Sequence, residues 1–218
     1  MSLIKKLVIF YGGSGSGKTT LEERFLEYHG SKRAKRLVSI TTRAKRSIAD
    51  NGYIFCKDRE EFLEHNPGAI IQIGNNADWL YGVCKKSFKL DCKIGIISVI
   101  SAAYAEEIID FAIYLGIKPQ NITLVYVECS QDERYKRIQA RGENEEAIKA
   151  RFDFEDKYQD VVSSESVNVG RDGIDNIVEV NYFNAKYIVF PERVKAIVIN
   201  SEKTDTREGE IDFDEFVS

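Results

Sequence analysis

Apolar and polar positions along this chain switch between two periods. Leu7-Val8-Ile9-Phe10-Tyr11 is an unbroken apolar run, as expected of a strand buried on both faces. A glycine-rich turn follows. Leu21, Phe25 and Tyr28 then recur at helical spacing, with Glu22, Glu23 and Glu27 on other faces. Further strands are predicted near 36–40, 69–73, 94–100 and 122–128, and helices near 58–65, 101–115, 130–140 and 145–160. Strands alternating with helices predict a three-layer α/β/α arrangement around a mainly parallel sheet.

Two regions break the rhythm. Residues 41–83 hold three short β-like pieces (Tyr53 to Phe55, Ala69 to Ile73, Leu80 to Val83) and one short helix, which reads as a small inserted lobe. Residues 141–146, RGENEE, form a polar link between two helices. Beyond about residue 165 the pattern weakens; Tyr187 to Phe190 reads as a last core strand, and 201–218 as an acidic, loosely held tail.

Composition adds bounds. The chain has 218 residues, 43% apolar and 30% charged, which suits one globular domain spanning about 1–200 with a substantial core. A net charge of −4 excludes broad nucleic-acid affinity, so anion binding must come from local placement of charge. Cys56, Cys84, Cys92 and Cys129 make no C-x-x-C pair and read as reduced, buried thiols of a cytoplasmic protein. The apolar run after the initial lysines is too short for a secretory segment or a membrane span.

The sharpest chemistry lies in Gly12-Gly13-Ser14-Gly15-Ser16-Gly17-Lys18-Thr19, which satisfies G-x-x-x-x-G-K-[ST]. Glycines let the backbone turn tightly and aim its N–H groups at phosphate oxygens. Lys18 reaches the β- and γ-phosphates, and the Thr19 hydroxyl holds Mg²⁺. The helix starting near Gly17 adds its positive end. A flexible Gly/Ser linker is the alternative, but it would not sit between a buried strand and an amphipathic helix. Residues 13–20, with Thr20 closing the run, are therefore expected to bind ATP with Mg²⁺ in a P-loop NTPase fold.

Downstream, Ser39-Ile40-Thr41-Thr42-Arg43-Ala44-Lys45-Arg46 and Gly52-Tyr53-Ile54-Phe55 resemble the guanylate kinase family pattern S-x-T-T-R-x-x-R…G-x-x-Y-x-F. Leu80-Tyr81-Gly82 resembles its Y-G-[ST] turn, and Arg137 to Gly142 followed by Arg151 resembles its lid, R-x-x-x-R-G…R. The likeness runs from about residue 5 to about 160. It implies a core (1–37 and 91–200), an acceptor-binding lobe (38–90) and a helical lid (about 137–152). It also implies that Arg43, Arg46, Tyr53 and Tyr81 grip the acceptor's phosphate, that Ser39 touches the base, and that Arg137, Arg141 and Arg151 close over the phosphates beside Lys18. Residue chemistry agrees: arginine forks suit bidentate phosphate contacts and tyrosine hydroxyls add donors.

Three departures qualify the likeness. The family's base-reading glutamate is replaced by Gln72, and the serine after Tyr81-Gly82 by Val83. An amide offers one donor and one acceptor, so Gln72 against guanine leaves a donor facing a donor. The strand Ile96-Ile97-Ser98-Val99-Ile100 ends without the family's carboxylates. Phosphorylation of a nucleoside monophosphate, GMP or dGMP first, is the leading expectation. The acceptor is then a small nucleotide, with no membrane involved and a monomer or homodimer as the assembly. Seven basic residues between Lys32 and Arg46 keep a second reading open, a phosphorylated sugar or a modified base in DNA. A non-catalytic binding module is the third, although such a module has no need of Lys18, Thr19 or the lid arginines.

Overall fold

A computed structural model of the chain describes residues 2–45, 53–65, 70–73, 80–83, 85–100, 102–153, 155, 176–178, 188–190, 194–202 and 211–218. The chain runs β1 (Ser2–Leu3), β2 (Lys6–Tyr11), α1 (Lys18–His29), β3 (Ala34–Arg36), β4 (Ser39–Thr41), β5 (Tyr53–Phe55), α2 (Arg59–His65), β6 (Ile70–Ile73) and β7 (Leu80–Val83). It continues through β8 (Lys89–Leu90), β9 (Ile94–Val99), α3 (Ala102–Tyr114), β10 (Ile122–Glu128) and α4 (Gln131–Gln139). A further helix, α5, covers 145–153 and includes residue 155. Last come β11 (Asn176–Val178), β12 (Ile188–Phe190) and β13 (Lys195–Asn200).

Five strands form the main sheet in the order β13-β10-β2-β9-β3, and every pairing in it is parallel. Side chains alternate across a strand, and here both faces are covered. Leu7, Ile9 and Tyr11 join Ile108, Ile109 and Ala112 of α3 in one core cluster. Val8 and Phe10 join Leu21 and Phe25 of α1 in the other. That double burial explains the unbroken apolar run in β2. The chain places β3 and β9 to one side of β2 and then β10 to the other, so the strand order reverses at β2. A ligand crevice is expected at the carboxyl ends of the strands there, and the glycine-rich loop leaves β2 at that point.

A second, four-stranded sheet has the order β5-β4-β7-β6. Its β4–β5 pair is parallel and the other pairs are antiparallel. The single strand predicted near 36–40 is two, because the chain leaves one sheet for the other. Leu37 N–H still bonds to Ile96 O at 2.7 Å. At the next residue, Val38 O accepts the Ser87 hydroxyl at 2.6 Å, tying the outgoing segment to the returning one.

Two expectations need correction. Tyr187 to Phe190 is not a core strand: Ile188–Phe190 pairs antiparallel with Asn176–Val178 in a separate two-stranded ribbon, and β13 fills the sheet edge instead. β13 carries its own apolar run, Ala196 to Ile199, and lies at the sheet edge with Val198 51% exposed. Nor are residues 211–218 loosely held. Phe213, Phe216 and Val217 are buried beside Phe25 in the second core cluster. Phe216 stacks on Phe25 with centroids 5.9 Å apart, and Tyr28 Oη donates to Asp214 Oδ2 at 2.8 Å. The acidic residues of this segment face outward and mask three apolar anchors in the pattern. Predicted helix beyond 155 lies outside the described residues. Cys56, Cys92 and Cys129 are buried and free, as expected for reduced thiols. Among the described residues no helix is long and apolar enough to cross a membrane.

Candidate active site

The loop between β2 and α1 is shaped by positive φ at Gly12 (152°), Gly15 (81°) and Gly17 (101°). A Cβ on Gly15 would meet Arg134 O at 2.8 Å, and one on Gly12 would meet Val127 O at 2.7 Å, so the loop is seated tightly on the strand and helix beneath it. Gly17 caps α1 with no side-chain hydrogen bond and no acidic residue in the first turn. The helix N–H groups are thus left for an anion. Lys18 Nζ donates to Gly12 O at 2.6 Å and to Gly13 O at 2.8 Å, folding back over the loop. Burial lowers its pKa to about 8, with nearby Glu155 opposing the shift. Ser16 Oγ is buried without a hydrogen-bond partner, an orphaned donor inside a loop otherwise built from backbone. These features fit a triphosphate.

Two residues that the sequence reading did not single out brace this loop. Arg134 of α4, fully buried, donates from Nε to Ser14 O at 2.7 Å. It also pairs with Glu155. The other Glu155 oxygen, Oε1, accepts the Ser14 N–H at 2.8 Å. The Arg134 guanidinium lies 4.7 Å from the Phe152 ring centroid. Arg134 stands four residues before buried Ile138, on the inward stripe of α4, and that spacing was the available signal.

A cleft of about 630 Å³ opens beside the loop. Its wall includes Ser14, Gly15, Gly17, Lys18 and Thr19 from the loop; Ser39, Arg43, Tyr53 and Tyr81 from the second sheet; and Arg141 and Arg151 from the predicted lid. Arg43 is buried, with 4% exposure. Its guanidinium sits 5.1 Å from the Tyr53 ring centroid and 5.3 Å from that of Phe55. Tyr53 and Tyr81 meet edge-on at 5.9 Å. Register explains the grouping: Ser39 pairs with Tyr53, and Thr41 with both Phe55 and Tyr81. Gln72 is directly opposite Tyr81 in the β6–β7 ladder. Arg46 lies outside the described residues.

The lid arginines divide. Arg141 and Arg151 reach the cleft; Arg151 is held by Glu143 at 2.8 Å. Arg137 is absent from its wall. It is engaged by Glu133 at 3.0 Å and by Ser201 Oγ and O at 3.1 and 3.2 Å, close under Gly17. Thr20 lies in the first turn of α1, half-buried and outside the cleft wall.

Two carboxylates, Glu22 and Glu23, also line the cleft. Glu22 is buried, with 6% exposure. Its Oε2 accepts Arg36 Nε at 3.2 Å. Burial raises its pKa, while Ser98 and Arg36 favour the charged form. Ser98 Oγ is itself buried with no partner at bonding geometry. Among the described residues no group of three His, Cys, Asp or Glu side chains could hold a metal unaided. Thr19, exposed at the mouth of the loop, fits Mg²⁺ held jointly with phosphate and water.

The parallel sheet, the reversal at β2 and the glycine loop define a P-loop nucleotide-binding protein of three-layer α/β/α design. The family model described as "AAA domain" matches residues 8–160, and the chain belongs to that family, as a divergent guanylate kinase-like member. A guanylate kinase of Mycoplasma genitalium is 29% identical over 152 residues, covering 68% of this chain and 61% of its own length. Another, from Anaplasma phagocytophilum, is 28% identical over 183 residues, covering 79% of this chain and 85% of its own. The crystal structure of guanylate kinase from Anaplasma phagocytophilum aligns with a TM-score of 0.45 at 20% identity, covering 73% of this chain and 74% of that one.

Proposed function

We propose that this protein transfers the γ-phosphoryl group of ATP to the phosphate of a nucleoside monophosphate, releasing ADP and the diphosphate. One observation carries the reading: a single cleft is walled by the phosphate loop, by a buried arginine between two tyrosine-bearing strands, and by two lid arginines. In this reading residues 38–90 are the acceptor lobe and about 137–152 the lid.

Phosphoryl transfer asks little covalent chemistry of a protein. It asks for in-line positioning and for cations on the transferring oxygens. Lys18 and the uncapped start of α1 hold the donor phosphates. Arg43, Tyr53 and Tyr81 hold the acceptor's phosphate, with Arg46 as a further expected contact. Arg141 and Arg151 neutralise charge between them; an arginine in that role is worth roughly 10³–10⁵ in rate. Arg137, tied to Ser201 beneath Gly17, steadies the donor side. Mg²⁺, when bound at Thr19, would offset charge on the β- and γ-phosphates. A monomer or homodimer in the cytoplasm suits a small-nucleotide kinase.

The base is read by Ser39 and Gln72 in this proposal. Gln72 stands opposite Tyr81, where an amide, unlike a carboxylate, tolerates a base edge that mixes donor and acceptor. That favours testing acceptors beyond GMP. A coupled ADP-release assay over all nucleoside and deoxynucleoside monophosphates decides the point. Turnover with at least one is expected; none with any, alongside salt-sensitive turnover on oligonucleotides or turnover on phosphorylated sugars, shifts the acceptor class.

A further inference from the structure

P-loop enzymes hold Mg²⁺ with the loop Ser/Thr and, as a rule, an acidic residue at the end of a neighbouring core strand. Here that strand is β9, hydrogen-bonded to β2, and it presents Ser98 beside Phe10 near its carboxyl end. No Asp or Glu occurs between residues 94 and 100. The position therefore lacks its charge, although Thr19 keeps its hydroxyl.

Glu22 is a buried carboxylate near Ser98. It follows Thr19 by three residues and Lys18 by four, so it neighbours each of them on the surface of α1. That surface is turned to the cleft, because Lys18, Thr19, Glu22 and Ser98 all line it. The Ser98 hydroxyl favours the charged carboxylate from across the floor.

An ion pair with Arg36, supported by Ser98 and nearby Lys18, is the plain alternative. Glu22 is 8% exposed in its side chain while Arg36 is 38% exposed, and they share a single contact of 3.2 Å. A buried carboxylate needs near-ideal pairing and further hydrogen bonds to offset desolvation, whereas a half-exposed arginine is screened by solvent. Lys18 and the Ser98 hydroxyl also favour its charge, and the carboxylate borders the cleft one helical turn from Thr19.

We propose that Glu22 is the carboxylate of the magnesium site, moved from β9 to α1, receiving a metal-bound water beside Thr19 and positioning the ion against the nucleotide. Mg²⁺ keeps several of its waters when protein-bound, so a carboxylate one water away suffices. This rests on the reading of the cleft as a nucleoside triphosphate site. Glu22 acts through that water, as a positioning residue.

The test uses the full chain, a fluorescent ATP analogue and Mn²⁺ followed by electron paramagnetic resonance. The wild-type protein should bind the analogue without metal and more tightly with it. Glu22→Gln removes a negative charge from the cleft, so metal-free binding should not weaken, while Mn²⁺ in the ternary complex should weaken about 10–100-fold, the usual effect of losing such a partner. Glu22→Gln with Ser98→Asp should recover most of that loss by restoring the charge on β9. If Glu22→Gln fails to fold, Glu22→Asp keeps the charge but withdraws it by one methylene, and should still weaken Mn²⁺ several-fold. Unchanged Mn²⁺ affinity in the variant that folds overturns the proposal, as does equal weakening of metal-free and metal-loaded binding. Absence of any nucleotide binding by the wild type overturns the underlying reading and this inference with it. Normal binding with a metal-indifferent variant removes the inference alone.

Discussion

Glu155 and Arg134 form an ion pair sealed from solvent, and both partners also grip the same residue of the phosphate loop. Arg134 donates to Ser14 O and Glu155 accepts from Ser14 N–H. The carboxylate thus joins α5, α4 and the loop in one unit. Arg134→Met would strand a charge that is 5% exposed. A loss of about 3–5 kcal/mol in unfolding free energy is expected, with most of it regained in Arg134→Met/Glu155→Met, because apolar replacement of a whole buried pair is often neutral or better. Urea unfolding of the two variants and the wild type checks this; a double variant no more stable than the single one counts against it.

Lys18 sets a ceiling on pH. Its pKa, lowered to about 8 by burial, leaves it charged at neutral pH and neutral above that in the empty protein. Phosphate binding needs the charged form. ATP affinity should hold steady below about pH 8 and fall by up to tenfold per unit above it, until the pKa of the complex is reached. The same shift has the opposite sign for folding. A lysine whose folded pKa is depressed lowers stability at neutral pH, and stability recovers as pH rises from about 8 toward its ordinary 10.5. Fluorescence titrations and melting temperatures across that range should move in opposite directions.

How much of this was legible beforehand depends on how local each feature is. The glycine loop, β2 and the grouping of Arg43 with Tyr53 and Phe55 are written in nearby residues, so they could be read directly. Arg134 and Glu155 are 21 residues apart and meet Ser14 more than 100 residues earlier in the chain; no spacing rule connects them. Glu22 read as one of three glutamates on the outer faces of an amphipathic helix, because periodicity marks which face is apolar and not which cleft a polar face borders. Phe213 and Phe216 were hidden by the acids around them. In each case tertiary contact assigned a role that composition had assigned to solvent.

In the proposed function Arg43 is the residue that tells acceptor binding from donor binding. Its buried guanidinium lies near the Tyr53 and Phe55 rings. Arg43→Met should raise the acceptor KM about 10–100-fold, since a charge-assisted contact is worth roughly 1.5–3 kcal/mol. ATP binding should stay within about twofold. Arg43→Lys should rescue little, because the planar fork is lost. Steady-state kinetics against each substrate would expose a wrong assignment as a matching rise in both KM values.

His29 makes the fold acid-sensitive. It is 8% exposed, wedged 4.4 Å from the Phe25 ring, and burial lowers its pKa below the ordinary 6.5. Below 6.5 the unfolded chain takes up the proton more readily than the folded one, so stability falls as pH drops from there toward the folded value. His29→Leu should flatten that slope. Urea midpoints compared at about pH 7.5 and 5.5 measure it; an unchanged slope in the variant assigns the acid loss to other groups.

The bond between Ser87 Oγ and Val38 O has a mechanical meaning. The covalent path from the main sheet to the four-stranded sheet leaves at Val38 and comes back through Ser87, and the hydroxyl pins the two crossings together. Without that hydroxyl the two crossings would be held together only by the sheets on either side of them, so Ser87 bears on how firmly the second sheet is seated against the first. Arg43, two residues beyond the end of β4, is carried by the sheet that this one bond fastens.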